Sequence, residues 1–408
     1  MSTTNELFLE VMALAIRGQA WRSEAELPQG ELEALLRLAE DQKVLPLVFN
    51  AVCTSKTFHK ADLRRLVGIQ KQAVRWVTRQ VEQTNEFLVM LHSLQAQGLD
   101  PVVMKGLVCR ELYPQPMLRH SVDEDLLVSD ADFAAFHEAI KRHGLPPDHG
   151  EPDLGKTWEI SYHDTRSPLY IELHRRMFMP DQEAYGLLSA PFADVLSRTT
   201  TIQVQDMQVR TLHPTDHLLF LIFHAYKHFL YSGVGIRQVC DIGLFAERYA
   251  DQLDWTHIVS ACSDAQMGDF PAALCRIAEK HLGLHAEVPQ VWRKEVDEQP
   301  LLLDMLSGGL MGNNDVNRIH SSNITLGAVA DRGSRHHRLK GLLSALFPSA
   351  DYIRNEYSYT ARCPLLLPVG WLHRIVAYLC SHRGTDAKTT LRIGQERIGL
   401  LRHYGIIE

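Results

Sequence analysis

Hydrophobic positions in the first quarter of the chain recur at the spacing of a helix. Apolar residues lie three and four positions apart in NELFLEVMALAIRG (5–18), QGELEALLRLAEDQKVLPLVFNAV (29–52) and VRWVTRQVEQTNEFLVMLHSLQAQG (74–98). This spacing puts the apolar side chains on one helical face. The last segment closes on Gly98, and glycine is a common helix stop. The pattern predicts an N-terminal helical region over residues 1–97.

After residue 97 the pattern changes to short apolar runs. The runs that predict strands are DPVVMKG (100–106), VDEDLLV (122–128), TWEISYHD (157–164), LYIELHRRM (169–177) and TTTIQVQDMQVRTL (199–212). The third and fourth runs are separated only by TRSP and predict a hairpin, and the last run predicts a second hairpin. After the second run, DADFAAFHEAIKRHG (130–144) has the pattern of an amphipathic helix that ends on a glycine. We predict a mixed α/β core over residues 98–212.

From residue 213 onward the predicted state is helix again. HPTDHLLFLIFHAYKHFLY (213–231) has proline and threonine near its start, which favour helix initiation. Two polar stretches, GGLMGNNDVNRIHSSN (308–323) and DRGSRHHRLKG (331–341), are expected to be loops or helix starts. We predict a C-terminal helical domain over residues 213–408. The whole pattern indicates an α+β fold, with a small mixed-sheet core flanked by N- and C-terminal helical regions.

Composition and charge narrow the classes of function. Hydrophobic residues make up 45% and charged residues 22% of the 408 residues, as in ordinary globular proteins. The formal net charge of −7 argues against a general nucleic-acid coating, which needs a basic surface. Seven cysteines without a Cys-x-x-Cys pair predict reduced thiols and a cytoplasmic location. Glu6 and Glu10 interrupt the first apolar segment, so we expect no signal peptide, and no apolar stretch approaches the ~20 residues that cross a membrane.

Two acidic residues share one face of a predicted strand. Alternate strand residues point to the same side, so Asp123 and Asp125 lie together and Glu124 lies opposite them, with the apolar residues. Such a pair of carboxylates binds Mg²⁺ (or Mn²⁺), which completes its shell with substrate phosphates. The metal would cancel the repulsion between the aspartates. It does not explain Glu124 unless that residue lies at the edge of the strand.

Two further segments add residues to the site predicted at Asp123 and Asp125. In LYIELHRRM, Tyr170, Glu172 and His174 share the polar face, and Glu172 has the position expected of a third metal ligand or a general base. In VVMKGL, a strand ends at Gly106 and turns into a helix, which presents backbone N–H groups to a phosphate. The ammonium of Lys105, beside this glycine, would bind the negatively charged phosphates of a triphosphate.

The order of strand, glycine and helix, then Asp-x-Asp, then a strand glutamate resembles the polymerase β-like nucleotidyltransferase superfamily. A closer resemblance is to a broad, poorly characterised bacterial nucleotidyltransferase family. Its members carry a Lys-Gly turn, a Tyr-Pro, an Arg before Asp-x-Asp-Leu-Leu-Val, and a Glu-Leu-His strand. The segments that carry the resemblance are VVMKGLVCRELYPQPMLRHSVDEDLLV, YIELHRRM and LHPTDHLLFLIFHAYKH, over residues 102–242.

The resemblance implies an Mg²⁺-dependent transfer of NMP from an NTP to an acceptor. The acceptor group would be a hydroxyl or a phosphate on a small molecule, a peptide or a protein. Asp123 and Asp125 would bind the metal and the triphosphate. Glu172 would be the third metal ligand and would help to deprotonate the acceptor. Lys105 and Gly106 would line the phosphates.

The resemblance also assigns roles to residues around these acids. Arg119, shortly before the acid pair, would contact a phosphate or brace the loop. The side chains that would face the substrate are His174, Lys227 and His228. Two positions depart from the pattern: Leu107 stands where the wider superfamily has a phosphate-binding serine, and Glu124 replaces an apolar residue.

Other functions fit parts of the same sequence. His224 and His228 lie four residues apart on one helical face, a spacing that suits zinc. Asp216, His217 and Asp241 would add ligands, which would give a metal-dependent phosphohydrolase. With 21 histidines in the chain, a structural role for the pair is the competing interpretation. A third hypothesis is a catalytically inactive binding or scaffold protein that keeps the nucleotidyltransferase fold.

Aromatic and basic residues leave two further alternatives open. Trp158 and Tyr170 would either stack on a base or pack within the sheet. The basic cluster RHHRLK (335–340) would be either a solvated loop or a docking surface for an acidic partner.

Overall fold

A six-stranded mixed sheet forms the centre of the protein, and helices flank it. The computed structural model describes residues 3–22, 27–28, 30–60, 63–231, 233–293, 295–308, 316–330, parts of 353–373, and 387–408. Apolar side chains of the sheet and of the helices on both sides form one continuous core. The fold is therefore of the predicted α+β class.

Within the described residues, five helices precede the sheet, as the apolar spacing predicts. They are α1 (Thr3–Ala15), α2 (Glu31–Asp41), α3 (Leu45–Val52), α4 (Lys56–Lys60) and α5 (Leu63–Gln95). Helix α5 spans 33 residues and packs against α2 and α3. The chain leaves it through Gly98, whose φ of 76° is a left-handed conformation that favours glycine.

The strands and the two short helices between them follow the predicted order. They are β1 (Val102–Met104), α6 (Gly106–Arg110), β2 (Glu124–Leu127), α7 (Phe133–Arg142), β3 (Glu159–His163), β4 (Tyr170–His174), β5 (Thr199–Val204) and β6 (Met207–Leu212). Their order in the sheet is β3-β4-β2-β1-β6-β5. Strand β3 pairs antiparallel with β4, and β5 with β6, so both predicted hairpins are present.

The register of the central strands brings the predicted acids together. Strand β2 runs parallel to β4, with Asp125 beside Glu172. Strand β1 runs antiparallel to β2, with Met104 beside Asp125, so that Lys105 and α6 follow at the same end of the sheet. Every residue of β1 and β2 is buried. Because a shift by one residue would turn the buried side chains to the other face, packing fixes this register.

Helices follow the sheet from residue 214 onward. They are α8 (Pro214–Tyr231), α9 (Ile236–Arg248), α10 (Trp255–Asp264), α11 (Phe270–Leu282), α12 (Gln299–Gly308), α13 (Val316–Ala330) and α14 (Ala387–His403). Helix α8 packs against α9, α10 and α13, and most of its side chains are buried. Helix α1 packs against α11, so the N- and C-terminal helices touch. The division into domains 1–97, 98–212 and 213–408 stays a prediction.

Three further sequence predictions concern the helices. Helix α13 begins at Val316, so the polar stretch 308–323 contains a helix start. Residues 331–341, which include the basic cluster, lie outside the described residues. Among the helices that the structure describes, none combines the length and the apolar character needed to cross a bilayer.

Glu124 lies in the interior, where Arg110 neutralises it. The Arg110 and Glu124 side chains are 1% and 0% exposed, and Arg110 Nη2 lies 2.6 Å from Glu124 Oε1. The backbone N–H of Leu107 donates to Glu124 Oε2 at 2.8 Å. Glu124 therefore sits on the buried face, as strand alternation predicts. A salt bridge to α6, and not an edge position, explains the acid there.

The same carboxylate explains the need for a glycine at position 106. Gly106 has a φ of +20°, and a Cβ on it would lie 2.2 Å from Glu124 Oε2. Any other residue would push the carboxylate away from the Leu107 N–H, because Cβ atoms do not approach other atoms so closely. Gly106 is thus required inside the protein, independently of any phosphate.

Arg110→Met should lower the free energy of unfolding by about 3–5 kcal/mol, because it leaves the buried Glu124 without its cation. Arg110→Met with Glu124→Gln should lose less, since the amide is neutral and still accepts the Leu107 N–H. Urea unfolding measures both changes. Arg248→Met, at an exposed position of α9, is the control. Equal losses in the single and double variants would show that the charge of Glu124 is not what Arg110 stabilises.

Candidate active site

The three predicted acids meet at one end of the sheet, close to the side chain of Lys105. Lys105 Nζ lies 2.8 Å from Asp123 Oδ2 and 3.0 Å from Asp125 Oδ2. The Asp123 side chain, just before β2, is 25% exposed, whereas that of Asp125 is 3% exposed. The Glu172 side chain, on the neighbouring β4, is 23% exposed. Two carboxylates thus reach solvent, and the third is buried within the sheet.

Lys105 cancels the repulsion between the two aspartates, a task that the sequence assigned to a metal. Burial disfavours the ammonium, but the charges of Asp123 and Asp125 outweigh it and raise the pKa of Lys105 above its usual range. In turn, burial opposes the ionised form of Asp123, but Lys105 holds the pKa of that carboxyl well below its usual range. The site therefore contains a positive charge of its own.

Lys105 lies in a strained turn that the sheet holds in place. Its φ of 30° and ψ of −115° are rarely adopted by residues other than glycine. Its backbone N–H donates to His217 Nε2 at 3.2 Å. Burial lowers the pKa of His217 to about 3, so the ring is neutral, and its Nδ1–H faces Thr211 Oγ1 at 3.3 Å. Because Thr211 pairs with Val103 across β6 and β1, the strand register positions the turn.

His174 lies among three carboxylates. Its Nε2 lies 3.2 Å from Asp125 Oδ1 and 3.5 Å from Glu172 Oε2, and its Nδ1 lies 3.4 Å from Glu159 Oε2. Burial disfavours the imidazolium, but hydrogen bonds to Asp125 and Glu172 outweigh it and raise the pKa of His174 to about 9. Burial raises the pKa of Asp125 to about 6, against the effect of Lys105. At neutral pH the proton between the two side chains therefore resides on His174 and not on Asp125.

A divalent cation fits this arrangement. Ligand atoms of Asp125, Glu172 and His174 lie within 4.8 Å of one another, and His174 would have to lose its proton to act as a ligand. Asp125 Oδ2 is buried and accepts no hydrogen bond within the described residues, although Lys105 Nζ is 3.0 Å away. Carboxylate oxygens suit Mg²⁺ and Mn²⁺. Asp125 would be the central ligand, because Asp123 lies on one side of it in the chain and Glu172 lies beside it in the sheet.

A cleft opens beside Asp123, between the end of β1 and the helices α8 and α9. The residues that line it include Lys105, Gly106, Arg119, Asp123, His224 and Arg237. Three of the residues predicted to bind nucleotide therefore share one cleft with the first aspartate. Glu172 is not among the residues that line this cleft.

Arg119 borders the cleft, but its guanidinium is committed to another partner. Its Nε and Nη2 donate to the two oxygens of Asp241 at 3.2 and 2.6 Å. The Tyr113 hydroxyl donates to the same carboxylate at 2.8 Å. The side chains of Arg119, Asp241 and Tyr113 are all buried. Of the two predicted roles of Arg119, this geometry favours bracing of the loop over contact with a phosphate.

Helix α5 holds the segment that carries the acids, which the sequence analysis missed. The backbone N–H of Ser121 donates to Gln80 Oε1 at 2.7 Å. Gln83 Nε2 donates to the Val122 carbonyl at 3.1 Å and to Glu124 Oε1 at 3.3 Å. The three-residue spacing of two glutamines on one helical face is the only signal of this role in the sequence, and it is also typical of solvated faces.

One member of the histidine pair of α8, His224, lines the same cleft. His224 Nε2 lies 3.3 Å from Lys105 Nζ and 3.1 Å from His228 Nε2. Burial, with the charge of Lys105 nearby, lowers the pKa of His224 and lowers that of His228 to about 3. Both rings are therefore neutral. A neutral imidazole has one acceptor nitrogen with a single lone pair, so His224 Nε2 accepts from either the Lys105 ammonium or the His228 ring.

The structure does not build a zinc site around this pair in the residues it describes. The proposed further ligands have other partners: Asp216 binds Arg198, Asp241 binds Arg119, and His217 binds the backbone of Lys105. In the described part of the chain, the one cluster of three possible metal ligands is that of Asp125, Glu172 and His174. This geometry favours the carboxylate site over the histidine helix.

The remaining candidates lie around this centre. Lys227 Nζ lies 5.8 Å from the ring centroid of Tyr185. Trp158 precedes β3 and has an arginine guanidinium 5.8 Å from its ring centroid. Tyr170 is half-buried and lies two residues before Glu172 on β4. Tyr170 therefore shares the acidic face, whereas Lys227 and Trp158 contact other side chains.

Comparison with known proteins agrees with this geometry. A family model described as an uncharacterised nucleotidyltransferase matches residues 28–283. The range extends from α2 through the whole sheet to α11, which is more than half of the chain. The curated proteins and the solved structures give no match.

The free energy of unfolding should fall as the pH rises from about 6.5 to 9, because folded His174 holds its proton more tightly than the unfolded chain does. This contribution is complete below the pKa of a free histidine, about 6.5. It is lost as the pH passes the folded pKa of about 9. Urea unfolding at several pH values, for the wild type and His174→Gln, measures the effect.

His257→Gln is the control for this measurement, because His257 is an exposed histidine on α10. The control should keep the wild-type slope of stability against pH, and His174→Gln should flatten it. If His174→Gln keeps the full slope, another group is responsible.

Proposed function

Because the chain belongs to the uncharacterised nucleotidyltransferase family, we propose that it transfers NMP from an NTP to an acceptor. The acceptor group is a hydroxyl or phosphate on a small molecule, a peptide or a protein, and Mg²⁺ or Mn²⁺ is the cofactor. The observation that carries the proposal is the buried Asp125 between two more exposed carboxylates, Asp123 and Glu172. Because Asp123 lines the cleft and Glu172 does not, we place the triphosphate beside Asp123 and the acceptor beside Glu172.

The reaction is a displacement at the α-phosphorus. The acceptor oxygen forms a bond to this phosphorus as the bond from phosphorus to the bridging oxygen of the β-phosphate breaks. Pyrophosphate leaves with the electron pair of that bond. The proton of an acceptor hydroxyl passes to a carboxylate oxygen of Glu172 and from there to water. An ionised acceptor phosphate needs no such transfer.

The position of each side chain supports one part of this step. Asp123 and Asp125 would hold the cation, and bound Mg²⁺ would neutralise the developing charge on the phosphates. Burial opposes ionisation of Glu172, but a hydrogen bond from His174 and the charge of Lys105 lower its pKa, so it is free to accept a proton at neutral pH. His174 contacts both Asp125 and Glu172 and keeps their orientation.

Lys105 is the residue whose partners change when the substrate binds. Its ammonium contacts both aspartates, so it would have to move aside when they hold a cation. Within the cleft, beside Gly106, the phosphate charge then replaces the aspartate charge as its partner. His224 Nε2, 3.3 Å away, is a neutral acceptor that remains available to it.

Calorimetric titration with non-hydrolysable analogues of the four NTPs, with and without Mg²⁺, tests the proposal. We expect binding that requires the metal and that Asp123→Asn/Asp125→Asn abolishes, because neutral amides hold Mg²⁺ poorly. A matched control exists in Asp130→Asn/Asp132→Asn, since these residues form a second Asp-x-Asp pair just before α7. It should bind as the wild type does. Absence of binding for all four analogues would instead support the scaffold hypothesis.

Glu172→Gln should separate binding from transfer. We expect NTP affinity within a few-fold of the wild type and a transfer rate lower by about 10²–10⁴-fold, the usual effect of losing a general base. Transfer is measured with NTP radiolabelled at the α-phosphate, against metabolite, peptide and protein fractions of a cell extract. Glu138→Gln, at an exposed glutamate of α7, should leave the rate unchanged. An undiminished rate in Glu172→Gln would exclude it as the base.

The metal-dependent phosphohydrolase makes the opposite prediction for two residues. Its activity would survive Asp123→Asn and disappear in His224→Ala. The nucleotidyltransferase requires Asp123. Asp216 is bound to Arg198 and Asp241 to Arg119, so neither is available as a zinc ligand, and this favours the nucleotidyltransferase.

We also infer a cytoplasmic location from the state of the cysteines. The five in the described residues, Cys53, Cys109, Cys240, Cys262 and Cys275, are free thiols. Burial raises the pKa of Cys275 to about 12, so this thiol is unreactive. Unpaired thiols are typical of proteins in a reducing compartment.

A further inference from the structure

Arg237, in the first turn of α9, is a buried cation with incomplete hydrogen bonding. It is 8% exposed and lines the cleft beside Asp123. Its Nη1 donates to the carbonyl of His120, whereas its Nε is buried and has no hydrogen-bond partner among the described residues. Burial lowers the pKa of Arg237, and the charge of Arg119 lowers it further. A guanidinium has five N–H donors, so this one lacks acceptors.

The other two cations of the cleft already have carboxylate partners. Lys105 contacts Asp123 and Asp125. Arg119 makes two hydrogen bonds to Asp241. An anion that enters the cleft must displace a carboxylate to reach either of them. Arg237 offers donors without such a displacement.

Gln238, the next residue, adds a second open donor to the same wall. Its Oε1 accepts the backbone N–H of Gly235 at 2.9 Å. Its Nε2 is buried without a hydrogen-bond partner in the part of the chain that the structure describes. Gln238 is 8% exposed and also lines the cleft. Two adjacent buried donors without acceptors are costly unless water or an acceptor-rich ligand binds there.

The turn at Gly106 has fewer donors for a phosphate than the family resemblance implies. The N–H of Leu107 is bound to Glu124, and Leu107 has no hydroxyl. The N–H of Lys105 is bound to His217. Since these donors are satisfied inside the protein, a phosphate chain in the cleft needs donors from the opposite wall.

We propose that Arg237 and Gln238 bind the phosphate chain of the nucleoside triphosphate, in place of the hydroxyl that position 107 lacks. The identity of the ligand rests on the proposed function, but its binding does not require the transfer step. A guanidinium holds two oxygens of one phosphate side by side, which fixes the direction of the chain as well as its charge. The phosphates then lie in the cleft between the start of α6 and the start of α9, and Asp123 lines the same cleft.

Binding of pyrophosphate with Mg²⁺ tests this role separately from catalysis. Calorimetry should show binding to the wild type and about 10- to 100-fold weaker binding to Arg237→Gln, the usual cost of losing charge-assisted hydrogen bonds. Arg237→Lys should fall between them, because it keeps the charge and loses the planar fork. Gln238→Leu should lose less than Arg237→Gln, because its amide is neutral.

Controls separate binding from bracing of the loop through the His120 carbonyl. Arg248→Gln changes an exposed arginine of the same helix and should bind as the wild type does. Melting temperatures show whether each variant is folded. In Arg237→Gln, affinity should fall for NTP and not for the matching NMP. A residue that only braces the loop would weaken both by the same factor.

Three results would overturn the assignment of Arg237. These are no binding of pyrophosphate to the wild type, equal affinity of the wild type and Arg237→Gln, and equal losses for NTP and NMP. A different pattern would overturn the proposed function instead: Arg237-dependent binding of pyrophosphate in a protein that transfers no NMP to any acceptor fraction.

Discussion

Three consecutive carboxylates at the start of a buried strand need compensating charge, and the rest of the site depends on where that charge lies. Asp123 and Asp125 share Lys105 on one side of β2, and Glu124 has Arg110 on the other. Without these cations the buried acids would be too costly to keep ionised. Since both cations belong to the turn and helix after β1, electrostatics as well as apolar packing joins β1, α6 and β2 into one unit.

The segment before the acids is held from both helical regions of the protein. Gln80 of α5 binds the backbone of Ser121. From the other side, Asp241 of α9 binds Arg119, and Arg237 binds the carbonyl of His120. The flanking helices therefore take part in positioning the acids, although they contain none of them. The family match likewise extends beyond the sheet, from residue 28 to residue 283.

Local patterns in the sequence predict the fold and much of the site. Alternation along β2 and β4 is enough to place Asp123 and Asp125 on one face and to select Glu172, because side-chain direction in a strand depends only on position. The roles of Arg237 and of the Arg110–Glu124 pair depend on contacts between segments far apart in the chain. A single arginine or glutamine in an amphipathic helix has the same pattern whether it faces solvent or a cleft. Such residues become visible only when packing is known.

The alternation of acids in β2 also bears on the fate of misfolded chains. A slip of β2 by one residue would turn Glu124 toward Lys105 and both aspartates toward Arg110. Two buried acids would then compete for one arginine, and the error would be electrostatic as well as steric. The register that turns the three acids to the wrong faces is thus strongly destabilised. Chains with this error should therefore unfold and be degraded, and should not accumulate as a misassembled but folded protein.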